Sequence, residues 1–203
     1  MSAHIQEIEA KFYVCDLQAV EMRLQAQGAV RKLARGFEYN LRFDDAQNSL
    51  ARDHHVLRLR RSDDARLTFK GPGEQRSGAT VRTELELVVD NFEMARSFLE
   101  ALGYHVATSY EKYRAMYEFE GALVTLDELP YGTFVEIEAE KAEAIAGLAQ
   151  RLGLKAENAI PISYLGLFER LRESMKLSAK NLAFAEFSGL KITPQDLGVV
   201  PAD

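Results

Sequence analysis

The sequence predicts an α+β protein in which an antiparallel sheet carries amphipathic helices on one face and a dense set of charges on the other. Three observations predict it. Strand-length segments alternate apolar and charged residues, the period-2 pattern of a strand with two unlike faces. A Glu-x-Glu strand followed by a helix that closes on glycine occurs three times, at Glu7/Glu9, Glu84/Glu86 and Glu136/Glu138. The 203 residues are 47% hydrophobic, enough to bury one core. The spacing of the repeat is too uneven for a solenoid.

In HIQEIEAKFYV, Glu7, Glu9 and Lys11 alternate with Ile8, Ala10 and Phe12. FEYNLRFDD supplies a strand over Tyr39 to Asp44. HVLRLRR sets Arg58 and Arg60 against Leu57 and Leu59, and RLTFKG sets Thr68 and Lys70 against Leu67 and Phe69. TVRTELELVV places Arg82, Glu84 and Glu86 opposite Val81, Thr83, Leu85 and Leu87. YEKYRAMYEF carries Lys112 and Arg114 on one face and Tyr113 and Tyr117 on the other. ALVTLDEL puts Asp127 beside Thr125, and TFVEIEAE sets Glu136 and Glu138 against Val135 and Ile137.

The helices carry start and stop signals. Asp16 caps a stretch with Leu17, Val20 and Leu24, closed by Gly28. Asp90 is the expected cap of a second, with Phe92, Ala95, Phe98, Leu99 and Leu102 before Gly103. A third runs from about Lys141 through Ile145, Leu148 and Leu152 to Gly153, and a fourth starts near Ser163. Residues 1–175 form the expected domain, and 176–203 a short C-terminal extension packed on its body.

Composition narrows the function classes. A net charge of −6, from 25 Lys+Arg and 31 Asp+Glu, argues against a nucleic-acid partner. A single cysteine, Cys15, excludes an internal disulfide framework and a cysteine metal cage, and is expected to be a small buried side chain. Neither a membrane-spanning run nor a basic-then-apolar leader is present, so no membrane partner and a cytoplasmic location are expected. His54 and His55, beside Asp53, read as turn residues, and His4 and His105 as surface or edge residues. Gly71 to Gly78 is glycine-rich but lacks the Gly-Lys-Ser/Thr ending of a phosphate-binding loop. It reads as a hairpin, with Arg76 a lesser candidate for ligand contact.

The charged faces hold seven acids (Glu7, Glu9, Glu84, Glu86, Asp127, Glu136, Glu138) and seven bases (Lys11, Arg58, Arg60, Lys70, Arg82, Lys112, Arg114). One reading is an open sheet with one solvated face. The other is a sheet closed on itself, with all fourteen groups around one lumen. Uncharged polar residues are scarce at these positions and the apolar faces are where helices could dock, which weighs against a purely wet face, but the alternation alone still favours the solvated sheet. Enclosed ions must be paired, wet or bound to a polyvalent ligand. Carboxylates suit hard divalent cations and arginines suit phosphate, so both together suit a metal-chelated polyphosphate.

The segments EIEAK, VLRLR, TFKGP, RTELE, EKYR, VTLDEL and FVEIEAE, ending with Ser163–Tyr164, resemble in order the pattern of the CYTH family, the triphosphate tunnel metalloenzymes. The resemblance covers about residues 4–170. It implies an eight-stranded antiparallel β-barrel tunnel with helices packed outside. It further implies that Lys11, Arg58, Arg60, Lys70, Arg82, Lys112 and Arg114 cradle a triphosphate-containing small molecule. Glu7, Glu9, Asp127, Glu136 and Glu138 would hold Mg2+ or Mn2+, with Glu84 and Glu86 as further acidic lining. Tyr164 is expected either near the tunnel entrance or in the core. Family members are often dimers, so a homodimer is expected, with no interface marked in the sequence.

Two chemistries share this scaffold. Hydrolysis of inorganic triphosphate, thiamine triphosphate or a nucleoside triphosphate is favoured, with Glu7, Glu9 and Lys11 as catalytic residues. The alternative is an adenylyl cyclase of the class IV type, which also needs an adenine pocket that the sequence does not mark. A non-catalytic polyphosphate- or nucleotide-binding module and a solvated structural sheet are the remaining readings.

Overall fold

The computed structural model describes residues 6–203; His4 lies outside them. Nine strands and five helices follow in the order β1 (Gln6–Val14), α1 (Leu17–Ala26), β2 (Val30–Asp44), α2 (Ser49–Arg52), β3 (Val56–Arg61), β4 (Ala65–Lys70), β5 (Glu74–Arg76), β6 (Ala79–Val89), α3 (Phe92–Ala101), β7 (His105–Phe119), β8 (Ala122–Leu129), β9 (Gly132–Glu138), α4 (Ala142–Arg151) and α5 (Tyr164–Met175). The strands pair antiparallel in the order β1-β9-β8-β7-β2-β3-β4-β6, and β6 pairs back onto β1, closing a ring of eight. This is the tunnel fold expected from the resemblance. The ninth strand, β5, hangs on β6 as the hairpin expected at Gly71–Gly78.

Closure follows from the two unlike faces. Ala10, Phe12, Val14, Val135 and Ile137 turn outward and are buried beneath α1 and α4. Asp16 caps α1 by accepting from Ala19 N at 2.9 Å, and Gly28 follows at φ +78°, a conformation that favours glycine. A second apolar cluster joins Leu41, Phe43 and Leu59 to Phe92 and Leu99 of α3. The cap of α3 is Asn91, which accepts from Met94 N at 2.9 Å, rather than Asp90. Phe92 is the first helical residue and is buried, so the capping position falls on the residue just before it.

The third cluster lies under the end of the ring where β8 turns into β9. Tyr13, Leu129, Tyr131 and Phe134 meet Tyr164, Leu167, Phe168 and Leu171 of α5, together with Leu182, Phe187 and Leu197 of the C-terminal segment. β8 reaches back along β7 only to Tyr113, which leaves the first half of β7 without a neighbour on that side. Leu182 supplies one, accepting from Glu111 N at 2.9 Å and donating to Ser109 O at 3.0 Å. Asp203 ends the chain by accepting from Cys15 N and Asp16 N at 2.8–3.0 Å.

Two further expectations change. The strand expected over Tyr39 to Asp44 begins at Val30, because β7 is long enough to pair with it to Glu118. Cys15 is exposed rather than buried: β1 ends at Val14, so Cys15 opens the turn to α1, where its backbone N–H is the group in use. Among the described residues, no helix is long and apolar enough to cross a membrane.

Candidate active site

The ring encloses a cavity of about 850 Å3. Because alternate residues of each strand point inward, thirteen of the fourteen expected site residues line it; Asp127 does not. The acids and bases are not mixed at random. Glu7, Glu9, Glu136 and Glu138 come from the neighbouring strands β1 and β9, with Glu9 in register with Glu138. Arg42, Arg58 and Arg60 come from β2 and β3, four strands further round the ring of eight. An acidic wall thus faces a basic one.

The groups between the walls pair tightly. Lys70 Nζ donates to both oxygens of Glu7 at 2.7 and 2.8 Å and lies 3.1 Å from Glu84. Arg82 donates to Glu7 at 2.8 Å and to Glu9 at 2.7 Å. Lys11 lies 3.2 Å from Glu136, which also accepts from Arg114 at 2.7 Å. Burial works to raise the Glu7 carboxyl, but Lys70 and Arg82 outweigh it and hold it at about 2. Glu84 goes the other way, to about 7, because burial and the neighbouring Glu7 charge exceed the pull of Lys70. Burial also dominates at Glu138, and the charges of Glu7 and Glu9 add to it, so its carboxyl rises to about 7.

The basic wall is less well satisfied. The Nε–H groups of Arg42, Arg58 and Arg60 are buried with no acceptor among the described residues. Arg42 has no acidic partner within ion-pair distance among them, and burial, with Arg58 and Arg82 nearby, lowers its pKa. Arg60 is lowered as well, by burial against a weaker pull from Glu38 at 3.6 Å. Native proteins rarely leave buried donors unmatched, so a cluster of them marks a place for an anion.

Asp127 sits behind the wall, fully buried. Its oxygens accept from Arg114 at 2.6 and 2.5 Å, from Lys112 at 3.2 Å and from Tyr164 Oη at 2.8 Å. Tyr164 is therefore both buried and part of the site: its ring also lies 4.3 Å from Lys11 Nζ and 5.5 Å from Lys112 Nζ. Arg76 points away, exposed and paired with Glu74. His54 and His55 line the mouth near α2, and the His55 ring stacks on Phe69 at 5.3 Å.

Sequence reasoning missed Glu38 and Arg42 on β2 and Arg66 on β4, all of which line the cavity, and Asn40, which is fully buried between Arg60 and Tyr110 in the pairing register. The signal was present. Glu38, Asn40 and Arg42 alternate with Phe37, Tyr39 and Leu41, and Arg66 shares the face of Thr68 and Lys70.

No three acidic or histidine side chains stand gathered as a ready-made cation cluster among the described residues. The donor set still fits a hard divalent ion: Glu7, Glu9, Glu136 and Glu138 are carboxylates on adjacent strands, crowded enough to raise Glu138.

Comparison with known proteins agrees with this architecture. A Methanocaldococcus jannaschii protein described as a candidate adenylate cyclase is 24% identical over 172 residues, covering 79% of this chain and 97% of its own. A Vibrio parahaemolyticus structure, also described as a candidate adenylate cyclase, matches with a TM-score of 0.73 at 22% identity, covering 80% of this chain and 97% of that one. A Hippeastrum structure, described as a candidate adenylyl cyclase with a dominant triphosphatase activity, matches with a TM-score of 0.62 at 23% identity, covering 80% and 95%. The CYTH domain model matches residues 6–164. Proteins with this domain bind triphosphate substrates, typically with divalent metals, and act as triphosphatases or adenylyl cyclases. The chain belongs to the CYTH domain family.

Proposed function

We propose that this protein is a divalent-metal-dependent triphosphatase acting on inorganic triphosphate, thiamine triphosphate or a nucleoside triphosphate. One observation carries the reading: the under-satisfied arginines Arg42, Arg58 and Arg60 face the carboxylates of β1 and β9 across a single cavity. A metal-chelated triphosphate answers both walls at once, its oxygens filling the arginine donors and its cation the carboxylates.

Arg42, Arg58 and Arg60, with Lys112 and Arg114, bind and orient the phosphate chain. Asp127 and Tyr164 position Arg114 and Lys112 rather than meeting the ligand. Glu7, Glu9, Glu136 and Glu138 would hold Mg2+ or Mn2+, which supplies charge neutralisation at the phosphate oxygens. In hydrolysis, water attacks the terminal phosphorus, the bond to its bridging oxygen breaks, and the proton passes to a carboxylate. Glu9 suits that role better than Glu7, because Glu7 is held by both Lys70 and Arg82 while Glu9 is held by Arg82 alone. Lys11 and Arg114 take up charge developing on the leaving oxygens.

A second reading has an observation of its own. The cavity exceeds what a bare triphosphate fills, and Leu33, Met116 and Leu123 give one mouth an apolar lining. That suits a nucleoside, and with the ribose 3′-hydroxyl as nucleophile ATP would yield cyclic AMP and pyrophosphate.

Phosphorus NMR with Mg2+ or Mn2+ tests the two, with inorganic triphosphate, ATP and thiamine triphosphate offered separately. Orthophosphate supports the triphosphatase. Cyclic AMP with pyrophosphate from ATP overturns it in favour of cyclisation. Binding without turnover of any of the three overturns both.

A further inference from the structure

The basic wall holds a buried titratable side chain that the chemistry above leaves unused. Tyr110 shares the inward face of β7 with Lys112 and Arg114. Its side chain lines the cavity and is 7% exposed. Among the described residues its oxygen makes one hydrogen bond, accepting from Arg58 Nη1 at 3.5 Å, which leaves the phenolic proton without an acceptor. Other buried tyrosines use theirs. Tyr117 donates to Glu21 at 2.5 Å, Tyr131 to the Tyr164 carbonyl at 2.8 Å and Tyr164 to Asp127 at 2.8 Å. A buried hydroxyl is costly to leave unmatched, so the Tyr110 proton marks a position for an acceptor that a ligand brings.

The surroundings define that acceptor. Burial works to raise the Tyr110 pKa, but Arg58, Lys112 and Arg42 prevail and lower it. Three cations around the hydroxyl favour an acceptor that is itself anionic. Asn40 stands opposite Tyr110 in the β2–β7 register, yet both atoms of its amide are unmatched, so it does not take the proton. Arg42 and Arg58 already oppose one another across β2 and β3. A further cation there would add repulsion, whereas a phenol adds a hydrogen bond without charge. The strand that carries Tyr110 is held on both edges. Beyond β2 on one side, Leu182 bridges to Tyr110 on the other, and Asn181 Oδ1 accepts from Ser109 N at 3.1 Å. Both residues lie past the stretch 6–164 that the family model matches, so the C-terminal segment positions this donor.

We propose that Tyr110 is a further substrate-binding residue, its hydroxyl donating to a non-bridging phosphate oxygen seated against Arg42 and Arg58. The inference rests on the triphosphate reading above and adds to its cations a donor that carries no charge.

Tyr110→Phe keeps the ring and removes only the hydroxyl. Calorimetry with inorganic triphosphate in EDTA reads binding, and orthophosphate release with Mg2+ reads KM. The variant should bind triphosphate about tenfold more weakly, the loss of one hydrogen bond to a charged group, with KM raised. Its melting temperature without ligand should be unchanged or raised, because the lost proton had no partner. Tyr113→Phe, on the outward face beside Phe37, should bind as wild type. Carbon-13 NMR of tyrosine labelled at Cζ adds a readout that a packing role would not move. The resonance missing from Tyr110→Phe should shift when inorganic triphosphate is added to the wild-type chain. Wild-type affinity and KM in Tyr110→Phe, or a stationary resonance, would overturn the inference, while orthophosphate release would leave the triphosphatase reading standing. Neither binding nor turnover by the wild-type chain would overturn that reading and this one with it.

Discussion

Arg42 and Arg58 stand directly opposite one another in the β2–β3 register, two like charges with both Nε–H groups buried and unmatched. Directly opposed like charges destabilise a strand pair by about 0.2–1 kcal/mol, so the arrangement opposes folding slightly and favours an anion strongly. Arg42→Met should leave the melting temperature without ligand unchanged or raised. The same variant should weaken triphosphate binding about 10–100-fold, the loss of one charge-assisted hydrogen bond or two. Thermal shift with and without triphosphate, followed by calorimetry, reads both effects. A large loss of stability without ligand would show that Arg42 is structural.

Glu38 gives the fold an acid limit. Burial acts to raise its carboxyl, but Lys112, Arg114 and Arg60 prevail and hold it at about 2, below the ordinary 4.5. Folding therefore favours the ionised form, so the stabilisation is complete above pH 4.5 and is lost as pH falls towards 2. The difference corresponds to about 3 kcal/mol. Glu38→Gln should be less stable than wild type by roughly that amount at pH 6, and the gap should narrow to a small remainder as pH falls towards 2, where the wild-type side chain begins to protonate. Denaturant unfolding at pH 6 and near pH 2.5 measures the gap; one that stays constant with pH would remove Glu38 as its source.

The acids divide into two kinds. Glu138→Gln and Glu9→Gln should weaken Mn2+ binding by about tenfold or more, the scale seen when a metal site loses a supporting group. Asp127→Asn should spare Mn2+ affinity and instead weaken triphosphate binding, because Arg114 and Lys112 lose the carboxylate that aligns them. Electron paramagnetic resonance of Mn2+ separates the two groups. Equal loss of Mn2+ in the Asp127 variant would make it a direct ligand.

Tyr164 ties the basic wall to the helix end. Tyr164→Phe keeps the ring beneath Lys11 and removes one hydrogen bond to the buried Asp127. It should cost about 1.5–3 kcal/mol of stability, the range for a hydrogen bond to a charged group, with a modest rise in KM. Tyr164→Leu should cost more in KM as the ring face under both lysines is lost. Unfolding curves and steady-state kinetics for the pair check the order. Equal KM values for the two variants would leave the ring without a role.

Chelation offers the simplest check on the metal. EDTA should abolish turnover and leave the fold intact, because Glu7, Glu9 and Glu136 are already matched by Lys11, Lys70, Arg82 and Arg114. Circular dichroism and activity before and after Mg2+ is restored distinguish loss of chemistry from loss of structure.

The sequence by itself determined which residues share a face. The period-2 alternation in EIEAK, VLRLR and VEIE is a property of the extended backbone, so the inward-facing charges could be listed before any fold was known. Local capping chemistry likewise placed α1 and α5, at Asp16 and Ser163. The resemblance then indicated that the faces close around a lumen.

Tertiary structure decided what each charge meets. Whether Asp127 faces the cavity or lies behind it depends on α5 bringing Tyr164 to it across the end of the barrel, a contact 37 residues distant in sequence. The separation of an acidic wall on β1 and β9 from a basic wall on β2 and β3 depends on the strand order, which no local pattern encodes. The carboxyl shifts of Glu7, Glu84 and Glu138 have the same origin. They arise from burial and from charges on neighbouring strands, and Coulomb energy depends on distance through space rather than along the chain.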